Sequence, residues 1–157
     1  MELKKYLVET FQYNDYANML VLEQVRMLPD QQESLRYLSH LVNSQDKWMV
    51  RLINNPASAT MSWWDPLYSL DELKQEWKRS VNAWIDFLNS KTEEQLYESP
   101  VYTGADGGMW TSKLKDIALQ LNYHSIHHRA QIQSLIRKQG FEPKFVDYIG
   151  TVARKIS

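Results

Sequence analysis

Three of the chain's four histidines lie within five residues of one another, at His124, His127 and His128. Neutral imidazole is the commonest protein ligand for transition metals. On a helix, residues four apart lie on one face, about 5–6 Å from each other. His124 and His128 can therefore point at one metal ion, and metal binding is the first chemistry that this sequence suggests.

The residues around the histidine pair narrow this chemistry. Metalloproteases with the pattern H-E-x-x-H use the same spacing, but Ser125 stands where their basic glutamate would be. The spacing thus argues against that protease chemistry. His127 lies about 100° around the helix from His128, so we expect a flanking residue rather than a ligand. We expect Arg129 to be a surface or salt-bridge residue.

The two histidines also belong to an apolar seam whose spacing alternates between three and four residues, as in a bundle core. The seam consists of Leu114, Ile117, Leu121, His124, His128, Gln131 and Leu135. Buried imidazoles need partners, which a metal ion would provide; the alternative is that the rings point at core carboxylates or water. His40 lies at the edge of an earlier apolar face, and its position alone indicates a boundary histidine.

Four long helical segments must position these residues, which predicts an all-α fold, an up-down four-helix bundle. The first helix covers residues 3–27. A capping box of Asp30 and Glu33 begins the second helix, which runs to about Asn54. A second capping box, Ser69 with Glu72, begins the third helix.

The helical periodicity of apolar residues is interrupted at residues 97–111, where Val101–Thr103 and Met109–Thr111 flank a glycine-rich stretch. This pattern predicts a small hairpin or folded loop inserted before helix 4. Thr111 or Ser112 is the predicted cap of helix 4, which ends near Gly140. A short fifth helix is predicted from about Phe145 to Lys155.

Composition limits the function classes. The 157 residues suit a single domain over residues 1–157, and a net charge of −1 does not favour nucleic-acid or membrane binding. The absence of cysteine excludes disulfides, thiolate ligands and a cysteine nucleophile. Because no apolar stretch has the length of a signal peptide or a membrane span, we expect a cytoplasmic protein. Several polar and aromatic side chains are candidates to line a pocket: Asn14, Asp15, Asn18, Tyr37, Ser44, Trp63, Trp64 and Trp110.

Three segments together resemble the DinB family, the damage-inducible-B-like proteins that include the YfiT-like proteins. The segment Phe11–Asn18 resembles the family's first-helix Y-N-x-W-A-N, with Tyr16 in place of Trp. The second is Leu38-Ser39-His40-Leu41 followed by Trp48 and Arg51-Leu52. The third, His124-x-x-x-His128-Arg129-Ala130-Gln131-Ile132, resembles H-x-x-x-H-R-G-Q-I, with Ala130 where glycine is usual.

This resemblance implies a DinB-like four-helix bundle that binds a divalent metal ion with one histidine of the second helix and two of the fourth. Carried onto this chain, the metal ligands are His40, His124 and His128, all of which are present. Zinc and nickel both suit imidazole ligands. The family is commonly dimeric, so a homodimer is expected, whereas membership does not imply DNA binding.

Related proteins include transferases that use a small thiol such as bacillithiol or mycothiol. Since this chain has no cysteine, any thiolate must come from a low-molecular-weight co-substrate. The leading hypothesis is a metalloenzyme that acts on small molecules, a thiol-dependent S-transferase or a hydrolase. The alternatives are a non-catalytic metal-binding stress protein and a helical interaction protein whose histidines are structural.

Overall fold

The structure, a computed structural model, describes residues 2–157, so Met1 of the expected domain lies outside the described residues. It confirms the all-α bundle with a short fifth helix and a small hairpin before the fourth. The helices are α1 (Leu3–Val25), α2 (Gln32–Leu52), α3 (Leu70–Asn89), α4 (Leu114–Lys138) and α5 (Tyr148–Val152). The hairpin consists of β1 (Val101–Thr103) and β2 (Met109–Thr111), and short 3-10 turns occupy Pro56–Ala59 and Glu94–Tyr97.

Each long helix packs against two neighbours: α1 and α2 lie diagonally opposite each other, and both contact α3 and α4. The bonded side chains give the helix directions. Asn14 and Asn18 of α1 bond to Asn122 and Ser125 of α4, so α1 and α4 run parallel. On the opposite side α2 and α4 run antiparallel, since Asp30 bonds to Gln139 whereas His40 lies beside His124.

Helices α2 and α3 run in the same direction, so the up-down alternation expected from the sequence is wrong between these two helices, and the chain must cross back along the bundle. Residues 53–69 make this crossover along one face of α2. Lys47 donates to the Met61 carbonyl, Asn43 to the Pro66 carbonyl, and the Tyr68 amide donates to Ser39 Oγ. The crossover therefore covers the face of α2 that carries His40.

Apolar side chains fill the bundle in two clusters, one at each end. One contains Ala17, Val21, Leu41, Val42, Trp77, Val81, Ile132 and Ile136, and the other contains Leu7, Phe11, Trp84, Leu88, Leu96, Ile117 and Leu121. Full burial of such a side chain is worth about 1.5–3 kcal/mol. The polar site residues lie between apolar layers that hold the helices together.

The hairpin matches the prediction residue for residue, with Val101 opposite Thr111 and Thr103 opposite Met109. Gly107 adopts a φ of 78° in the turn, a conformation that glycine accepts without steric cost. Across residues 2–157, none of the helices is both long and apolar enough for a bilayer crossing.

The helix ends agree with the sequence only in part. The capping box of Ser69 and Glu72 is formed as predicted. The capping box predicted for α2 is wrong, because Asp30 instead accepts from the backbone of Gln32, the first residue of the helix. Neither predicted cap of α4 is used: Thr111 pairs in β2, and Ser112 bonds to Tyr102.

The predicted ends of helices lie a few residues away from the observed ones. Helix α1 ends at Val25 rather than residue 27, and α5 covers only Tyr148–Val152 of the range predicted from Phe145 to Lys155. Helix ends fray, and periodicity does not determine the exact residue at which a helix begins or ends, which explains the difference.

We predict that Ser69→Ala lowers the free energy of unfolding by about 1 kcal/mol, because it removes the side-chain oxygen that accepts from the Glu72 amide. Chemical denaturation measures this loss. Ser134→Ala is the control, since Ser134 is exposed to solvent and lies within α4, away from the first turn of that helix. Equal stability changes in the two variants would contradict the capping role.

Candidate metal centre

The structure brings His40, His124 and His128 together between α2 and α4. Nε2 of His124 lies 3.0 Å from Nε2 of His40 and 2.9 Å from Nε2 of His128. One nitrogen from each ring can be chosen so that all three lie within 4.8 Å of one another. His40 is buried rather than at the boundary that its position in the sequence indicates, because the crossover covers its face of α2.

The second nitrogens of two rings determine where their protons lie. Nδ1 of His40 donates to the Trp63 carbonyl at 2.6 Å, and Nδ1 of His128 donates to Oε1 of Gln131 at 2.6 Å. A neutral imidazole carries one N–H, so the Nε2 atoms of His40 and His128 both carry lone pairs. Both lone pairs point at Nε2 of His124.

His124 cannot satisfy both neighbours, since its Nε2 donates at most one hydrogen bond. At least one of the two lone pairs on His40 and His128 therefore has no hydrogen-bond donor, which is unfavourable in a buried site. A cation at the meeting point would interact with all three lone pairs. Zinc lies about 2.0–2.1 Å from imidazole nitrogens, and tetrahedral angles then separate the nitrogens by about 3.3 Å, close to the observed spacing. The cluster is thus compatible with a bound divalent ion.

Electrostatics keeps these rings in the neutral form that binds metals. Burial, together with the neighbouring His128, His40 and His127, lowers the pKa of His124 to about 4. Burial also lowers the pKa of His40 and of His128. Because protons compete with metal for the same lone pairs, lowered pKa values leave the ligand atoms free at neutral pH.

Aromatic rings pack around the cluster. Trp64 stacks on His40 with ring centroids 3.8 Å apart, and Tyr37 stacks on His128 at 5.1 Å. These two members of the predicted pocket lining are therefore at the site. Trp110 is not, because it lies on the hairpin and bonds to Asp106. His127 is exposed, and its ring touches the edge of His128, as expected for a flanking residue.

Arg129 is not the surface or salt-bridge residue that the sequence indicated. It is 3% exposed, and its guanidinium donates to Oδ1 of Asn14 at 2.8 Å, Oδ1 of Asn18 at 2.9 Å and the hydroxyl of Tyr13 at 3.0 Å. The parallel packing of α1 and α4 encloses it among neutral acceptors. The two asparagines four residues apart in α1 were the sequence signal for this network, and they bond within it rather than at the histidine cluster.

Sequence reasoning missed two further residues beside the centre. Lys47 and Arg51 are buried on the His40 side of α2, and the ring of Trp63 packs against both cations. The signal was the spacing of His40, Ser44, Lys47 and Arg51, which places them on one helical stripe. Charged residues on a helix are usually solvated, so the pattern alone does not distinguish these two from exposed residues.

We predict that metal-free protein, prepared with a chelator, loses stability as pH falls from about 6.5 towards 4. In this range the unfolded chain takes up protons that the folded His124 does not, because its folded pKa is the lower one. Denaturant unfolding at a series of pH values measures the slope. His124→Gln should flatten it, and replacement of the exposed His127 by Gln should not; an unaltered slope in His124→Gln would contradict the lowered pKa.

Comparison with known proteins agrees with the geometry. Residues 35–132, more than half of the chain, match the model of the DinB superfamily. The matched segment contains all three clustered histidines, from α2 and from α4. No curated protein matches the chain. The extent of the family match shows that this chain belongs to the DinB superfamily.

Proposed function

We propose that this protein is a metalloenzyme that binds one divalent transition-metal ion, zinc or nickel, through His40, His124 and His128. The observation that carries the proposal is the convergence of three Nε2 atoms, two of which present lone pairs to the third. Buried polar groups are normally satisfied by a partner. Among the described residues, the histidine cluster has no carboxylate within salt-bridge distance, so a metal ion is the partner that fits.

The protein's own groups prepare the site for this role. The carbonyl of Trp63 and the amide of Gln131 orient two of the rings, and burial keeps all three neutral. Outer-shell hydrogen bonds of this kind typically fix the tautomer of a ligating histidine. Three neutral ligands leave a divalent ion with its full charge and with room for a further ligand.

We propose further that the enzyme uses a low-molecular-weight thiol to attack an electrophilic small molecule. A bound divalent ion would supply Lewis acidity, which favours the ionised form of a thiol or water. The thiol sulfur forms a bond to the electrophilic carbon, the bond to the leaving group breaks with its electron pair, and the thiol proton goes to the leaving group or to solvent. The faces of Trp64 and Tyr37 offer apolar contact beside the centre. Replacement of the thiol by water would make the same site a hydrolase.

The first test is metal content. We expect protein purified without a histidine tag to contain about one equivalent of metal, and His124→Ala and His128→Ala to lose it, since two ligands hold an ion weakly. The loss of affinity should exceed the roughly 10–100-fold that removal of an outer-shell partner costs. Elemental analysis after dialysis measures this. His127→Ala is the matched control, one position from His128 and exposed.

Full metal content in both His124→Ala and His128→Ala would overturn the assignment of the ligands. A metal-free wild type that also fails to take up zinc, nickel or cobalt in titration would favour structural histidines. The two results are distinguishable, because the first leaves a metal in the protein and the second does not.

The second test addresses the thiol. Cobalt-loaded wild type should develop a sulfur-to-metal charge-transfer band when titrated with a small thiol, and His124→Ala should not. Absorbance spectroscopy measures the band, and the same titration with the corresponding alcohol is the control. Absence of the band at millimolar thiol, together with intact metal binding, would leave a metal-binding protein without thiol chemistry.

A further inference from the structure

One stripe of α2 leads away from the metal centre. His40, Ser44, Lys47 and Arg51 follow a spacing of four, three and four residues, so they lie on the same helical face. A rise of 1.5 Å per residue places Ser44 roughly 6 Å and Lys47 roughly 10 Å from His40 along the helix axis. All four residues are buried.

Arg51 is a buried arginine without a hydrogen-bond acceptor. It is 7% exposed, and its guanidinium carbon lies 4.9 Å from the centre of the Trp48 ring, 4.9 Å from that of Trp63 and 5.6 Å from that of Tyr102. Within residues 2–157, its buried Nε has no partner and none of the seven ion pairs includes it. The aromatic faces hold the plane of the guanidinium and leave its N–H donors unused.

Lys47 adds a second buried cation one turn away. It is 7% exposed, donates to the Met61 carbonyl, and lies 4.6 Å from the centre of the Trp63 ring. Burial lowers its pKa, and the nearby positive charge of Arg51 lowers this pKa further. Among the described residues, no carboxylate lies within ion-pair distance of Lys47 either. Between Lys47 and His40, the buried hydroxyl of Ser44 also has no partner among residues 2–157.

Two other arginines have acceptors within the described part of the chain. Arg79 bonds to Asp46 and Glu76, and Arg129 donates to the neutral acceptors around it. Buried charges are normally paired, because an unpaired charge in a low-dielectric interior is costly. Two neighbouring cations without a counter-charge are therefore the unexplained electrostatic feature of this fold.

A cavity of about 150 Å³ lies beside Arg51, between the end of α2, the start of the crossover and the hairpin. Its polar lining includes Asn54, Asn55, Ser58 and Thr103, which offer amide and hydroxyl groups next to the guanidinium. A water molecule occupies about 30 Å³, so the space suits a small oxyanion. The planar fork of an arginine matches the oxygens of a carboxylate or a phosphate.

We propose that Arg51, which lines this cavity, forms an oxyanion subsite for the carboxylate or phosphate group of a small molecule, and that the buried positive charge of Lys47 one turn away strengthens the binding. The subsite is separate from the histidine cluster and does not require a metal ion there. The two sites share Trp63, whose ring contacts both cations and whose carbonyl accepts from His40. An anion bound to Arg51 would supply the missing counter-charge.

The competing explanation is that Arg51 only fills space between aromatic rings. The two explanations differ in the sign of a measurable effect. If Arg51 is a packing residue, Arg51→Met lowers Tm and anions have no specific effect. If Arg51 is an anion ligand, Arg51→Met removes an unpaired buried charge, so Tm without anion stays level or rises while the response to anions is lost.

The test is thermal unfolding of the full chain, metal-free and metal-loaded, in inorganic phosphate, in succinate, and in sodium chloride of equal ionic strength. At ten times Kd, a ligand of the folded state should raise Tm by roughly 3–5 °C in a chain of this size. We expect phosphate, succinate or both to exceed chloride in the wild type, and the pattern identifies the anion class. No response above chloride overturns the proposal.

Three variants locate the bound anion. Arg51→Met should abolish the shift in Tm, and Lys47→Met should weaken anion binding at least about five-fold by calorimetry, which keeps the test valid if one variant does not fold. Arg36→Met is the matched control, because Arg36 also lies over a tryptophan ring of the crossover but is exposed. A full response in Arg51→Met, or its loss in Arg36→Met, overturns the proposal.

His128→Ala separates this subsite from the metal centre. The anion response should persist in this variant, even if it no longer binds metal. A response that requires both metal and His128 would place the anion on the metal ion and overturn the proposal. If the wild-type chain takes up no metal but still responds to anions, the response supports the subsite. The missing metal uptake then counts only against the proposed metalloenzyme.

Discussion

The packing of α2 against α4 directs three imidazole nitrogens at one point, and the neighbouring residues hold the rings in this arrangement. The Nε2 atoms of His40 and His128 carry lone pairs, because the Nδ1–H groups of these rings donate hydrogen bonds to the Trp63 carbonyl and to Gln131. Hydrogen bonding within the cluster cannot then be completed. A cation resolves this conflict, whereas more protons do not, since burial lowers the pKa of all three rings. Near neutral pH, protons therefore compete little for these lone pairs.

The crossover follows from helix direction. Because α2 and α3 run parallel, the connection must return along the bundle, and its residues lie over the α2 face next to the histidines. Its backbone does more than connect: the Trp63 carbonyl orients His40, and the Met61 carbonyl accepts from Lys47. Trp64 stacks on His40 at the same time. An irregular segment thereby becomes a structural part of the centre, which matches the general tendency of long connections to carry function.

Sequence alone predicted the bundle, the hairpin and the facing of His124 and His128, because these depend on periodicity and local turn chemistry. The third histidine came from the family resemblance, since periodicity placed His40 at a boundary. Its burial depends on a crossover that no local pattern reveals. The predicted cap of α4 failed for a similar reason: the hydroxyl of Ser112 bonds to Tyr102 rather than to the helix end. Arg129 was misplaced because its acceptors come from α1, more than a hundred residues away in sequence.

The two buried arginines, Arg129 and Arg51, have different surroundings. Arg129, between α1 and α4, is surrounded by acceptors from Asn14, Asn18 and Tyr13, so its charge is fully engaged by the protein. Arg51, beside the crossover, is equally enclosed but meets only aromatic faces. Aromatic faces attract a cation without using its N–H donors, which leaves those donors available in a fixed plane. The α1–α4 seam therefore supplies acceptors for its own buried cation. The lone pairs at the histidines and the N–H donors at Arg51 lie together along α2, so both proposed ligand sites are on that side of the bundle.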